Sequence, residues 1–320
     1  MNKKLKVAVI GAGYLGEHHA RIYSTMQRDG ENIELAGVVD TDKERADSIA
    51  AKYNTKAYYD YKDLLGKVKA VSIATPTVLH YQVAIDFIRR NSDVLIEKPI
   101  TTTTSQASSL ILEAETRGVL IQVGHIERFN PAFRIMTEYI QKPRFIEAHR
   151  TGPFVGRATD VNVILDLMIH DIDIILNLVK SDVTDIRAVG TPVLTNHIDI
   201  ANARIEFSNG CIADLTASRV SKEKMRKTRI FQPDTYLSID YAQQSLTVCR
   251  RIIEENSPKI IEEKITPEKE EPLSSELKSF INAVVNGKTP LVSGRDGRDA
   301  LSIALRVQED AEKRLSDLPL

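Results

Sequence analysis

The chain has 320 residues, enough for one large domain or two ordinary ones, and two is the expectation. Hydrophobic residues make up 42% and charged residues 27%, the balance of a soluble globular protein, and the net charge of −1 gives no general pull toward nucleic acid or an anionic membrane. The two cysteines, Cys211 and Cys249, stand far apart and outside any C-x-x-C pattern, which argues against a disulfide framework or a zinc site and fits a reducing cytoplasm.

The N-terminus, MNKKLKVAVIGAG, passes from basic residues through a short apolar run straight into glycines. It has no small-residue cleavage site, so no signal peptide is expected. From Leu5 to Gly124, short apolar runs alternate with amphipathic stretches, as βαβ units do. Strands are predicted at Leu5–Ile10, Glu34–Asp40, Ala70–Thr75, Asp93–Glu97 and Leu120–Val123. Helices are predicted between them, at Tyr14–Arg28, Lys43–Lys52, Val78–Arg90 and Ser105–Arg117. Strands this continuously apolar belong in a parallel sheet covered on both faces.

After Gly124 the pattern changes. A helix near Pro131–Ile140 precedes a strand at Phe145–Arg150, and one long helix is predicted from Val161 to Val179. That last stretch carries Asp166, His170, Asp171 and Asp173, too polar for a membrane span. Strand-like runs follow at Asp185–Val193, Ala201–Phe207, Cys211–Val220, Thr228–Gln232, Tyr236–Asp240 and Ser245–Arg250. FSNGC forms a hairpin turn centred on Asn209-Gly210. The charge-rich stretch Glu254–Pro272 reads as an exposed loop or edge. Two helices close the chain, Ser275–Asn286 capped by Gly287, and Arg298–Leu315. This half reads as an α+β domain with an antiparallel sheet.

VAVIGAGYLGEHHA holds G-x-G-x-x-G as Gly11, Gly13 and Gly16, directly after a strand and at the opening of a helix. Gly11 allows the tight turn, Gly13 lets backbone approach a pyrophosphate, and Gly16 lets helix pack on strand. The helix start, with Tyr14 and Leu15 beside Gly13, offers N–H groups and a favourable dipole to phosphates. The second strand ends AGVVD, which places Asp40 to accept hydrogen bonds from adenosine ribose hydroxyls. An acid there favours NAD and repels a 2′-phosphate. The domains are therefore 1–124, a Rossmann NAD-binding domain, and 125–320, an α+β domain.

Further candidates lie at strand ends, where the cofactor crevice of such sheets opens. Thr75, Pro76 and His80 follow one strand, and His80 reads equally well as a surface residue of the next helix. Asp93–Ile100, DVLIEKPI, ends a buried strand in Glu97 and Lys98. Pro99 restricts Lys98 to extended backbone. Lys98 is either a solvated strand-end lysine or a cation placed to stabilise an alkoxide-like oxygen, with Glu97 orienting it. Asp166 and His170 are four apart on the long helix and share a face. The carboxylate could orient the imidazole as a general base, and a surface or core pair is the plainer alternative. A lone D-x-x-x-H is poor metal evidence, and no metal is expected. In GHIERFNP, Gly124 permits close approach of a ligand and Arg128 and Asn130 could bind sugar or phosphate oxygens. A linker in which Asn130-Pro131 opens the next helix explains the same residues, and His125 stays open. The basic run Arg219, Lys222, Lys224, Arg226, Lys227 and Arg229 suits a pyrophosphate or a solvated loop. It lacks the interleaved aromatics of a nucleic-acid site.

GAGYLGEHHA, ATPTVLH, EKPI and DLMIHDID, in that order, resemble the glucose–fructose oxidoreductase and inositol dehydrogenase (Gfo/Idh/MocA) family along essentially the whole chain. The resemblance implies a Rossmann domain followed by a domain built on a large open sheet. It also implies NAD(P)-dependent chemistry at a sugar or cyclitol hydroxyl, with Lys98, Asp166 and His170 in the family's catalytic positions. VGHIERFNPAFR and DTYLSIDYAQQ are similar to the branch that dehydrogenates UDP-N-acetylglucosamine at C3 for later amination in lipid A synthesis. The reading is thus an NAD-dependent cytoplasmic sugar-nucleotide dehydrogenase, a homodimer or homotetramer through the C-terminal sheet, with a UDP-sugar substrate. It takes neither nucleic acid nor membrane as partner. A dehydrogenase of a free sugar, inositol or UDP-uronate is the rival within the class, and a non-catalytic NAD-binding sensor the rival outside it.

Overall fold

The computed structural model describes residues 4–155, 161–254 and 257–317; the basic start of the N-terminal segment, residues 1–3, lies outside the described residues. The chain divides into two compact units. One comprises residues 1–126 and 271–299, the other 127–270 and 300–320.

The first unit runs β1 Leu5–Ile10, α1 Tyr14–Arg28, β2 Ile33–Val39, α2 Lys43–Lys52, β3 Ala57–Tyr58, β4 Ala70–Ile73, α3 Thr77–Ile88, β5 Asp93–Ile96, α4 Thr104–Arg117 and β6 Ile121–Val123. Its six strands lie parallel in the order β3-β2-β1-β4-β5-β6, so the order reverses between β1 and β4. Ligands of doubly wound sheets bind outside the carboxyl ends of the strands at such a reversal. β4 and β5 are buried along their whole length, which explains why they read as unbroken apolar runs. Helix limits follow local chemistry. The Asp42 carboxylate accepts from Arg45 N at α2, the Thr103 hydroxyl accepts from Gln106 N at α4, and Gly118 ends α4 in the left-handed region.

The second unit contains α5 Pro131–Thr137, β7 Phe145–Thr151, a π-helical turn Ile164–Met168, α6 Ile169–Val179, and β8 Val183–Thr191. It continues with β9 Ile200–Phe207, β10 Ile212–Ser218, β11 Met225–Gln232, β12 Thr235–Asp240, β13 Ser245–Glu254 and β14 Ser257–Ile265. These strands form one eight-stranded sheet, β14-β13-β12-β11-β7-β10-β9-β8, antiparallel except where β7 meets β10. One face alternates Ile146, Ala148, Ala203, Ile205, Ala213, Leu215, Ile230, Leu237 and Val248 into a core with Met168, Ile172 and Ile175.

Two expectations change and a third is refined. Residues 271–299, read as part of the second domain, belong to the first unit, because α7 (Pro272–Asn286) sends Leu273, Leu277, Phe280 and Ile281 into the core of Val7, Tyr23 and Leu95. The charge-rich stretch after Glu254, expected as an exposed loop or edge, is an edge and contains a strand, β14. It pairs with β13 alone and is exposed on both faces, so its sequence carries no period-two signal. The long helix from Val161 begins instead as the π turn at Ile164–Met168, and α8, the last helix, spans Gly294–Ser316. No described helix is long and apolar enough to cross a membrane.

Ahead of the π turn, the chain is tied down by a buried ion pair. Arg219 Nε donates to Asp199 Oδ1 at 2.8 Å, and its Nη2 donates to the carbonyl of Val161 at 2.8 Å. Asp199 Oδ2 also accepts from the N–H groups of Val193, Leu194 and Thr195. Burial opposes ionisation of Asp199, but these donors outweigh it and hold the carboxyl well below the usual carboxylate range. A depressed folded-state value stabilises the protein above the unfolded-state value and loses that contribution as the pH falls through it. Asp199→Asn is therefore expected to lower the Tm at neutral pH, by an amount corresponding to about 1–3 kcal/mol. The gap between its Tm and that of the wild type should begin to narrow only as the pH falls below about 4 and keep narrowing toward the depressed native value, checked by thermal melts across pH.

Candidate active site

In the first unit the glycine loop is shaped by backbone contact. Gly11 has φ +92°, and a Cβ there would lie 2.6 Å from the Ala74 carbonyl oxygen. A Cβ on Gly16 would lie 1.7 Å from the Gly11 carbonyl oxygen, so α1 can press onto the loop only without a side chain. A Cβ on Gly13 would meet nothing within 4 Å, which leaves room for a phosphate beside the start of α1. Tyr14 and Leu15 are exposed next to it. Asp40 follows β2, where its Oδ2 accepts from Ala12 N at 2.9 Å and its Oδ1 from Asp42 N at 2.9 Å. Arg45 Nη1 stands 3.4 Å from Asp40 Oδ2. A cavity of 820 Å³ opens here, lined by Gly11, Gly13, Asp40, Arg45, Thr75 and Pro76 among others. Loop, carboxylate and cavity together fit a dinucleotide.

His80 is fully buried, with Nδ1 2.9 Å from the Pro99 carbonyl and Nε2 2.8 Å from the Thr75 carbonyl. Burial pushes its ring below the ordinary histidine range, although both carbonyls favour the charged form. The surface alternative for His80 does not hold: the ring is buried between these two main-chain carbonyls, and a neutral ring donates its one N–H to one of them. The Lys98–Pro99 bond is cis and Lys98 is half-buried. Glu97 is buried, and its Oε1 meets His19 Nε2 at 3.1 Å. A Cβ on Gly124 would lie 2.7 Å from Glu97 Oε2, so the glycine leaves room for that carboxylate. His125 is buried beside it.

In the second unit, Asp166 lies in the π turn and His170 at the second position of α6, both half-buried. π turns inside helices are frequent at functional sites. The start of α6 is held by buried charge. Arg150 of β7 donates from Nε and Nη2 to Asp171 at 2.9 Å each and from Nη1 to Glu127 at 2.8 Å. Its guanidinium also lies over the Tyr241 ring at 5.8 Å. Burial raises the Asp171 carboxyl despite Arg150 beside it.

Arg128 and Asn130, expected as substrate-binding residues, are both buried and hydrogen-bonded within the second unit. Arg128 is 5% exposed, lies 3.5 Å from Asp173 and donates to the Asn177 oxygen at 3.0 Å in the amide orientation that satisfies both groups. Asn130 is 1% exposed; it caps α5 through Ala132 N and donates to the Tyr241 carbonyl at 3.0 Å. Asn130 and Pro131 open α5, the feature on which the linker alternative rested. The basic run also disperses. Arg219 is buried on Asp199, Lys227 pairs with Asp240, Arg229 with Glu147, and Lys222, Lys224 and Arg226 are exposed. Among the described residues no cluster of three His, Cys, Asp or Glu side chains is arranged to hold a metal.

Sequence reasoning missed His19, Glu127, Arg150 and Asp171. For His19 a signal existed: a polar ring one turn past Gly16, on the face of α1 where Gly16, Ala20 and Tyr23 are buried. Arg150 sits at a buried position of an alternating strand, which marks a paired charge without naming the partner. Arg150→Met would leave two buried carboxylates uncompensated, and urea unfolding is expected to show a loss of about 3–5 kcal/mol.

Residues 5–125 match the family model described as an oxidoreductase family with an NAD-binding Rossmann fold (GFO_IDH_MocA), and residues 134–235 match the GFO/IDH/MocA C-terminal domain. The chain is 37% identical to UDP-N-acetylglucosamine 3-dehydrogenase of Acidithiobacillus ferrooxidans over 96% of its own length and 97% of the relative's. A solved structure of that enzyme from the same species matches with a TM-score of 0.91, covering 98% of this chain and 99% of that one. The scyllo-inositol 2-dehydrogenase (NAD(+)) of Bacillus subtilis is 27% identical over 95% of this chain and 93% of its own.

Proposed function

From the premise that this chain belongs to the Gfo/Idh/MocA family of NAD-binding oxidoreductases, we propose that it oxidises the C3 hydroxyl of UDP-N-acetylglucosamine to the 3-keto sugar nucleotide. The observation that carries this reading is the near full-length likeness to an enzyme of that name, at 37% identity. The glycine loop and Asp40 would hold NAD, which when bound supplies the hydride acceptor. Lys98 hydrogen-bonds the reacting hydroxyl and stabilises negative charge as its oxygen becomes alkoxide-like. His170 takes the hydroxyl proton on a ring nitrogen, and Asp166 orients the ring. The product ketone is an electrophile suited to amination on the way to lipid A, in the cytoplasm. A homo-oligomer forms through the open face of the eight-stranded sheet. Support for that is the half-exposed aromatic row Phe145, Phe231 and Tyr236 on this face, with ring centroids 5.7 and 5.1 Å apart.

NADH formation, followed by absorbance with UDP-sugars, free sugars and inositols in parallel, tests the reading, together with calorimetry of UDP binding. Turnover of a free sugar or inositol without UDP affinity would overturn the nucleotide part. NAD binding without turnover of any of them would favour a sensor.

Cofactor choice follows from Asp40. Asp40→Ser should raise kcat/KM with NADP relative to NAD, since Arg45 then stands beside the 2′ position with no carboxylate between. Paired kinetics with the two cofactors check this. Lys98→Met should fold and bind NADH while kcat falls at least ~10², and His170→Ala should lower kcat by ~10²–10⁴, both read by steady-state kinetics beside NADH fluorescence titration.

A further inference from the structure

We propose that His19 is a positioning residue for this reaction: its Nε2–H holds Glu97 as a fixed anion, and that anion holds the Lys98 ammonium in place. The inference rests on the role given to Lys98 above.

The segment around Lys98 is gripped on both sides. Ahead of it, Glu97 N donates to the Ile73 carbonyl at 3.0 Å, and the carboxylate is confined between His19 of α1 and Gly124 just past β6. Behind it, His80 of α3 braces the Pro99 carbonyl. With residues 97 and 99 both fixed, the charge on Glu97 becomes the free variable in the surroundings of Lys98. Burial alone would make that carboxyl take up a proton. His19 is fully buried, and its Nδ1 makes no hydrogen bond among the described residues, so the ring's polar commitment is to Glu97. The charged groups acting on Glu97 are His19 from α1, His80 from α3 and Lys98 from its own segment; β6 brings only the backbone of Gly124. Burial pushes the Glu97 carboxyl up, but the hydrogen bond from His19, its charge and that of Lys98 outweigh burial and bring it below the ordinary glutamate value. Without His19, the charge left to oppose the burial effect is chiefly that of Lys98.

The test compares His19→Phe, which keeps the ring volume but loses the donor, with His19→Gln, whose amide can still donate, and with Glu97→Gln. In His19→Phe the acid limb of the kcat–pH profile should move up by at least about one pH unit, a tenfold loss of the ionised form at a given acid pH. KM for the sugar nucleotide and NADH affinity by fluorescence should stay within about threefold of wild type, since uniform binding is untouched. His19→Gln should restore the limb. Glu97→Gln should show a low kcat that keeps only the acid limb set by His170, and adding His19→Phe should neither lower it further nor shift that limb. A loss in His19→Phe that is uniform across pH, or a wild-type kcat in Glu97→Gln, overturns the proposal; the second criterion stands even if His19→Phe fails to fold. Thermal melts of the ligand-free protein need no substrate. The Tm gap between wild type and His19→Phe should widen from about pH 4 to about pH 8, as the mutant is left with a buried charge it cannot hold. A constant gap overturns the pair as a charge-holding device. No turnover of any UDP-sugar together with a widening gap counts against the assigned substrate while upholding the pair.

Discussion

The carbonyl oxygen of Gly11 occupies the space where a side chain on Gly16 would begin, 1.7 Å from an ideal Cβ. Much of the first unit's functional edge follows from this contact. It presses α1 against the end of β1 and leaves open backbone at Gly13. It also brings the Ala12 N–H to the Asp40 carboxylate at 2.9 Å. The same close packing drives the next turn of α1 inward, so that His19 reaches Glu97 beyond β5 at 3.1 Å. A steric constraint between two glycines thus ends in an electrostatic arrangement beside Lys98, with no local feature of Glu97 requiring it.

The second unit solves a different problem. It places His170 at the start of a helix whose neighbouring positions, Asp171 and Asp173, are buried acids. Two buried arginines answer them, Arg150 from β7 and Arg128 from the turn before α5. Buried ion pairs contribute little net stability, but they forbid alternatives, because any shift of α6 would strand a charge in the core. Arg219 and Asp199 hold the approach to the π turn in the same way. Two residues of GHIERFNP also contribute to this scaffold. Arg128 fixes α6 through Asp173 and Asn130 caps α5, while His170 on α6 and Asp166 in the π turn before it are left half-buried.

The alternation of apolar strands and amphipathic helices, the glycine spacing, the acid closing β2 and the left-handed glycine caps were all decided within a few residues of chain. α1 and α2 accordingly begin and end where periodicity and capping place them. Lys98, Asp166 and His170 were legible as candidates because each sits at a position that local structure makes special: a strand end, or one face of a helix. Only the tertiary structure decided which charges are partners. His19 and Glu97 are 78 residues apart, and Asp171 lies 21 residues from Arg150. It also decided that α7 serves the first unit's core and that residues 257–265 form an edge strand. Periodicity reports which face of an element is buried, because burial repeats with the local backbone. It does not report what that face is buried against, since a buried charge, an amphipathic helix and an edge strand each find their partner across distances at which sequence spacing carries no geometry.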